Sequence, residues 1–281
     1  MKPANVPMRA PMIECWLDSV GVLGPGLPDW PRTAAVLRGD VPYAPEPTRV
    51  TLPPVLPPAE RRRTGVAVRI ALAAAHEAGA SSHYPVSGLA SVFASSGGDG
   101  DNCHAICEAL AGTDRLISPT RFHNSVHNAP SGYWGIAAGA TAPSTSVCAH
   151  DASFGAGLLE SVVQLVDGDC PVLLVAYDAP YPAPLRLVRP IPDAFGLAMV
   201  LAPRRTPTSV AALAVELTTD DPDRLDDAAL EALRTAIPTA CALPLLSALA
   251  RRRATRVVLD YLGGNDAGAP ASRLAVRITP C

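Results

Sequence analysis

Three side chains of the types used in nucleophilic and acid–base catalysis fall within four positions of the segment VCAHDASF, residues 147–154. They are Cys148, His150 and Asp151, and they directly precede an apolar run that predicts a buried helix over 152–166. The N-terminus of a helix favours a thiolate or a carboxylate through its dipole and its free N–H groups. The spacing therefore permits an acyltransferase or hydrolase site at the start of this helix.

A second group of reactive side chains lies upstream, in CHAIC and HNSVH. Residues four apart on a helix share a face, so a tetrahedral Cys/His metal site is geometrically conceivable. Its ligands would come from Cys103, His104, Cys107, His123 and His127. The spacing matches no strong zinc signature, and buried cysteines that pack as small hydrophobes are the alternative. We expect no metal and no cofactor, and a metal-dependent enzyme stays an open alternative.

The elements that must position these residues alternate between strands and helices, which indicates an α/β layered fold. Predicted strands cover residues 88–94, 145–148, 171–176, 194–201, 210–217, 256–261 and 273–278. Predicted helices cover 61–77 with a cap at Gly79, 103–111, parts of 124–138, 152–166, 226–237 and 243–251. The loop SSGGDGDN lacks the GxxxxGK[ST] pattern of a phosphate loop, so it predicts a turn between a strand and a helix.

The first sixty residues carry thirteen of the thirty prolines, a density that predicts an irregular, mostly extended arm. One short helix is expected at 31–37, with Asp29 as its N-cap. We expect a single domain over 1–281, in which the arm (1–60) is followed by a core (61–202) and a C-terminal α/β completion (203–281). Met1, Met8 and Met12 are alternative starts.

Composition limits the class of protein. With 48% apolar residues the chain can fill a sizeable core, and a formal net charge of -3 gives no footprint for nucleic acid. The seven cysteines are an odd number without regular spacing, which fits a reducing cytoplasm better than a disulfide framework. No uninterrupted apolar run predicts a signal peptide or a membrane span.

Residues 117–151, ISPTRFHNSVHNAPSGYWGIAAGATAPSTSVCAHD, carry a family resemblance. They resemble the stretch of β-ketoacyl synthases, which are thiolase-like condensing enzymes, that leads into the nucleophile. The matching positions, which need no gap, are Ser118-Pro119, Asn128, Gly132, Gly139 and Pro143-Ser144. GLASVFASSGGDG, PVLLVAYD and DAFGLAMVLA extend the similarity more weakly to about residues 85 to 202. The resembling part corresponds to the N-terminal half of a condensing enzyme.

The sequence departs from the family at its catalytic residues. In this register the family's active cysteine falls on Asp151, and Cys148 lies three residues too early. The family's two catalytic histidines come from its C-terminal half, whereas all six histidines here precede residue 151, at positions 76, 83, 104, 123, 127 and 150. A carboxylate is a poor acyl acceptor but can cap a helix, so we expect Asp151 to be a cap and not a nucleophile. No catalytic residue is assigned.

The pattern is similar to the chain length factor branch of this superfamily, in which a cysteine-less homologue pairs with an active synthase. It is closest in kind to the short, N-terminal-half proteins of bacterial aryl polyene and related type II fatty acid or polyketide pathways. The resemblance implies a thiolase-like α/β fold, a heterodimer with an active ketosynthase, and an acyl carrier protein as the source of substrates.

The resemblance also implies a role for the segment 120–128, which would lie near the subunit interface and reach the partner's acyl tunnel. Arg121, Phe122, His123 and Asn128 would then shape or stop that tunnel. Three alternatives remain open: an ordinary packed interface at these residues, an autonomous acyltransferase or hydrolase using Cys148, His150 or Asp151, and a purely structural or carrier-binding module.

Overall fold

The computed structural model describes residues 12–51, 54–263 and 271–281, so that Met1 and Met8 lie outside it. The strands of this part of the chain are β1 (Ile13–Leu23), β2 (Ala90–Ala94), β3 (Ser144–Val147), β4 (Val172–Asp178), β5 (Phe195–Ala202), β6 (Ala211–Thr218), β7 (Thr255–Leu262) and β8 (Ser272–Pro280). They form one mixed sheet in the order β3-β2-β4-β5-β1-β6-β8-β7. Strands β3, β2 and β4 are parallel neighbours, and the other neighbours pair antiparallel.

Helices cover both faces of this sheet. They are α1 (Trp30–Arg38), α2 (Pro58–Arg63), α3 (Val66–Ala80), α4 (Gly100–Ala111), α5 (Pro119–His123), α6 (Ala129–Ala138), α7 (Ser153–Gly168), α8 (Ala183–Arg186), α9 (Ala228–Ala236) and α10 (Leu243–Ala250). Helices α3 and α6 build one apolar core, while α1, α7, α9 and α10 build a larger one. The predicted α/β fold class is confirmed. Within the described ranges, no helix is both long and apolar enough to cross a bilayer.

The predicted irregular arm is wrong over its first described segment. Strand β1 lies inside the sheet, between β5 and β6, and is buried from Leu17 onward. The prediction was based on the density of prolines over the first sixty residues as a whole. Residues 12–24, however, contain no proline. An apolar run without proline can take a central position in a sheet, where every N–H must pair. The expected helix after Asp29 is confirmed, and the Asp29 side chain accepts a hydrogen bond from Arg32 N at 2.7 Å.

The single helix expected over 61–77 is broken into α2 and α3. Thr64 and Gly65 are extended between them, and a Cβ on Gly65 would lie 2.5 Å from Asp99 Oδ2. Gly79 is not the cap that we predicted. It lies inside α3, where a Cβ would meet Val86 at 2.4 Å, and Ser81 ends the helix.

Helix α7 packs between two parts of the same sheet. On one side, a Cβ on Gly157 would lie 2.7 Å from the Ala94 side chain of β2 and 2.9 Å from Leu174 of β4. On the other, a Cβ on Gly155 would lie 2.7 Å from Tyr261 of β7 and 3.0 Å from Leu274 of β8. The C-terminal strands therefore curve around and cover the face of α7 that β2 and β4 leave open.

A buried carboxylate ties β1 to two connecting segments. Asp18 is 1% exposed and accepts hydrogen bonds from Ser82 Oγ at 2.7 Å, from His83 N at 2.8 Å, from Thr208 Oγ1 at 2.6 Å and from Thr206 Oγ1. Burial alone would raise the pKa of Asp18, but these hydrogen bonds outweigh it and hold the pKa below its usual range. Asp18 is thus a structural anion.

Candidate functional site

The segment that carries Cys148, His150 and Asp151 is a tight turn between β3 and α7. His150 has φ +52°, a left-handed conformation that is uncommon for a residue other than glycine. Ser153 closes the turn, because its Oγ donates to His150 O at 2.6 Å and accepts from Ala149 N at 3.0 Å. The turn places Asp151 two positions before the first residue of α7.

The prediction that Asp151 caps α7 is wrong. The N-cap position belongs to Ala152, which makes no side-chain cap hydrogen bond. The Asp151 carboxylate accepts instead from Arg189 Nη2 at 2.6 Å, and its Oδ2 lies 3.4 Å from His150 Nδ1. Burial works against the charge of Arg189, but its hydrogen bond to Asp151 outweighs this and raises the arginine pKa. An arginine 38 residues away, and not the helix, holds this carboxylate.

The candidate nucleophile Cys148 has no base beside it. Its thiol is exposed and contacts Ser96 O at 3.6 Å. The neighbouring His150 imidazole is committed elsewhere, since Arg189 Nη1 lies 2.7 Å from its Nε2. Within the described ranges, no hydrogen bond joins Cys148 to an imidazole or a carboxylate. The three reactive residues therefore do not form a nucleophile–base pair.

The glycine-rich loop behind this turn is the turn between strand and helix that the sequence predicts. It is anchored by Asp178 at the end of β4, which is 1% exposed. This carboxylate accepts from Ser96 N at 3.0 Å, Ser96 Oγ at 2.6 Å, Thr239 N at 2.8 Å and Thr239 Oγ1 at 2.7 Å. Burial raises the pKa of Asp178, against which these four bonds act. Asp178 thereby joins the loop to the segment before α10.

The residues of the candidate metal site are not brought together. In the ranges that the structure describes, no three His, Cys, Asp or Glu side chains are close enough to hold a metal ion. Cys103 and Cys107 are exposed on α4, and His104 lies 3.2 Å from Glu108. His123 packs edge-on against Tyr133, and His127 Nε2 lies 3.4 Å from Val147 O.

Helices α4, α5 and α6 and the loops between them, which include the segment expected at a subunit interface, present a surface with exposed apolar side chains, and α6 contacts β3 at the edge of the sheet. We call this surface the α4–α6 face; its exposed apolar side chains are Leu110 (47%), Leu116 (80%), Phe122 (68%), Val126 (53%) and Ile136 (51%). The neighbours of Phe122 are fixed, because Asn102 Nδ2 donates to Arg121 O at 2.8 Å and His123 packs on Tyr133. Asn128 occupies the N-cap position of α6 without a side-chain cap bond.

One feature of the site was not predicted from the sequence: a cavity of about 580 Å³ beside Asp151. Its charged lining residues are Asp151, Arg189, Arg234, Asp260 and Arg273. These residues lie on separate elements far apart in the chain, so their spacing in the sequence does not predict a shared site. Asp260 and Arg273 are brought together by the pairing of β7 with β8, which sets them opposite each other.

The comparisons with known proteins agree with this architecture. Residues 30–242 match the family described as β-ketoacyl synthase, N-terminal domain. A comparison with curated protein sequences found no match. Among solved structures, the chain is similar to one described as a ketosynthase (ApeO) in complex with its chain length factor (ApeC) from Xenorhabdus doucetiae. The TM-score is 0.69 at 22% identity, over 94% of this chain and 98% of that chain.

Two further structures show the same fold at lower identity. One is described as AntDE:AntF, a type II polyketide synthase acyl-carrier protein in complex with its ketosynthase bound to the hexaketide. It has TM-score 0.69 and 11% identity, over 98% of this chain and 100% of that chain. The other is the ketosynthase from module 1 of the bacillaene synthase from Bacillus amyloliquefaciens FZB42, with TM-score 0.65 and 11% identity, over 95% of this chain and 76% of that chain. The fold is thus thiolase-like, and because the family match spans more than half of its residues, the chain belongs to the β-ketoacyl synthase family.

Proposed function

We propose that this chain is a chain length factor, a non-catalytic subunit that pairs with an active ketosynthase and bounds the chain that the partner elongates. The observation that carries the proposal is the side chain at the family's nucleophile position. The sequence register assigns that position to Asp151, which is bound to Arg189, and residues 152–281 contain no histidine to decarboxylate an extender unit. The partner would supply the thiol, the histidines and the reaction with the acyl carrier protein.

The α4–α6 face supports the pairing. Its five exposed apolar side chains favour a protein interface, because water otherwise surrounds them. The edge strand β3 adds unpaired backbone groups next to that face. We place the ketosynthase here, in a cytoplasmic heterodimer of a bacterial aryl polyene, fatty acid or polyketide pathway.

Chain length control is assigned to Phe122. All four residues expected at the tunnel, Arg121, Phe122, His123 and Asn128, are exposed, and Phe122, which is 68% exposed, is the one with a purely apolar side chain. An exposed aromatic ring at an interface buries a large apolar area when a partner covers it. It can therefore enter the partner's tunnel and limit its depth.

Co-expression with the ketosynthase encoded nearby tests the pairing. We expect the two chains to co-purify, and we expect Val126→Asp to abolish co-purification because it would bury an unpaired charge. Leu217→Asp is the matched control, since Leu217 is 51% exposed but lies on β6, away from the α4–α6 face. A wild-type chain that stays monomeric beside this partner contradicts the proposal.

Intact mass spectrometry separates this function from an autonomous acyltransferase. The isolated chain is incubated with an acyl-carrier thioester, and we expect no acyl adduct. An adduct that maps to Cys148 or Asp151 would favour the catalytic alternative.

A further inference from the structure

The cavity beside Asp151 is lined by charged side chains that differ in the number and length of their hydrogen bonds and ion pairs within the chain. Arg234 is fully committed, with three contacts of 2.8 Å to Glu231 and Asp260. Arg273 is held loosely, since its Nε lies 3.4 Å from Asp260 Oδ1. Among the described residues, its Nη1 donates over longer distances, at 3.3 Å to Leu262 O and 3.2 Å to Ser272 O. The Asp260 carboxylate thus accepts its shorter bond from Arg234 and makes only a longer contact with Arg273.

Unpaired donors concentrate at the same cavity. Among the described residues, four buried side-chain polar atoms lack a hydrogen-bond partner, and two of these are the Nε atoms of Arg189 and Arg273. Both arginines line the cavity. A guanidinium has five N–H donors, and an anion in the cavity can accept from those that the protein leaves accessible.

The charge and the apolar lining define the class of ligand. The wall carries three guanidinium groups and two carboxylates, a net charge of +1, while Glu231 lies behind Arg234 and does not line the cavity. Ile191, Pro238 and Tyr261 supply an apolar floor. A volume of about 580 Å³ falls in the range of small-molecule sites.

We propose that this cavity binds a small organic monocarboxylate. Its carboxylate accepts hydrogen bonds from Arg273, and its apolar body packs on Ile191, Pro238 and Tyr261. The Asp151 carboxylate, which is 64% exposed and also lines the cavity, repels the ligand and weakens its binding. The site needs neither the ketosynthase partner nor a thiol at position 151.

Calorimetric titration of the full chain at pH 7 tests this site, with benzoate as the probe. Benzyl alcohol, which has the ring but no charge, is the control for the carboxylate. Inorganic phosphate, which has charge but no ring, is the control for the apolar body. We expect benzoate to bind at least about tenfold more tightly than either control, since one charge-assisted contact is worth that much. Arg273→Gln should weaken benzoate about tenfold or more, and Asp151→Asn should strengthen it about two- to fivefold.

Arg277→Gln is the matched variant, because Arg277 is exposed on the same strand and does not line the cavity. It should change benzoate affinity less than about twofold. If circular dichroism shows that Arg273→Gln does not fold, Ala236→Phe provides the test instead. Ala236 is exposed and lines the cavity, so a phenylalanine there fills the cavity and should abolish benzoate binding. Benzoate that binds no better than benzyl alcohol or phosphate, or that loses as much affinity with Arg277→Gln, overturns the proposal.

Discussion

Arg189 donates to Asp151 across 2.6 Å, in the turn between β3 and α7, and Asp151 is the residue that the sequence register aligns with the reactive thiol of a condensing enzyme. The arginine side chain is 21% exposed and the aspartate 64%. The carboxylate is therefore engaged by a fixed cation while it faces solvent, which suits neither a helix cap nor an acyl acceptor. This arrangement agrees with the proposal that the chain is a non-catalytic subunit.

Asp151→Asn should leave condensation by the heterodimer nearly unchanged. The asparagine carbonyl can still accept from Arg189, and an ion pair this exposed contributes about 1 kcal/mol or less to stability. The checks are the condensation rate of the purified pair and the melting temperature of the chain. Asp169→Asn is a suitable control, because Asp169 forms another exposed pair, with Arg204. Lost turnover in an intact Asp151→Asn complex would give Asp151 a catalytic role.

Phe122→Ala should lengthen the product made by the heterodimer, because removal of the ring deepens the partner's tunnel. Mass spectrometry of the released chains measures the change. Ile136→Ala removes an exposed apolar side chain from the same α4–α6 face without touching the tunnel, so its product length should stay the same. Equal lengths from wild type and Phe122→Ala, with the complex intact, would reduce Phe122 to an ordinary interface residue.

The sequence was most informative where local patterns decide structure. The apolar run before Asp178 predicts β4, and the run after Asp151 predicts α7, because each element is buried along its own length. Asp29 was recognised as a cap from its position alone. Strand β1 was missed because its identity depends on β5 and β6, which are almost two hundred residues away.

The same limit applies to the site. Residues 148–151 are neighbours in the sequence, so their grouping in one turn could be predicted from the sequence alone. The partner of Asp151 could not be found, since Arg189 reaches it only through the return of the chain along β4 and α8. The cavity needs Arg273 as well, from the last strand. Tertiary contacts of this kind leave no periodic signal.

Gly157→Ala should destabilise the chain, whereas the same substitution at Gly132 should not. A methyl group at Gly157 would stand 2.7 Å from the Ala94 side chain, within the tight contact of α7 with β2. Such overpacking costs about 1–3 kcal/mol. Gly132 lies in α6 with open space around its Cβ position, so alanine there should stabilise by about 0.5–1 kcal/mol. Urea unfolding at pH 7 measures both, and an equal loss at the two glycines would rule out the packing explanation.

Asp18→Asn should lower the unfolding free energy by about 3–5 kcal/mol at pH 7, because its buried carboxylate accepts from four donors that an amide cannot all satisfy. The sign of the pH dependence follows from the lowered pKa. A carboxyl whose pKa is lower in the folded than in the unfolded state stabilises the fold above its unfolded pKa of about 3.9, and this stability is lost as pH falls through the folded pKa. Wild type and variant should therefore converge in acid. Urea unfolding between pH 7 and pH 3 checks this, with Asp169→Asn as the exposed control, and a gap that stays constant over that range would mean that Asp18 is not charged in the fold.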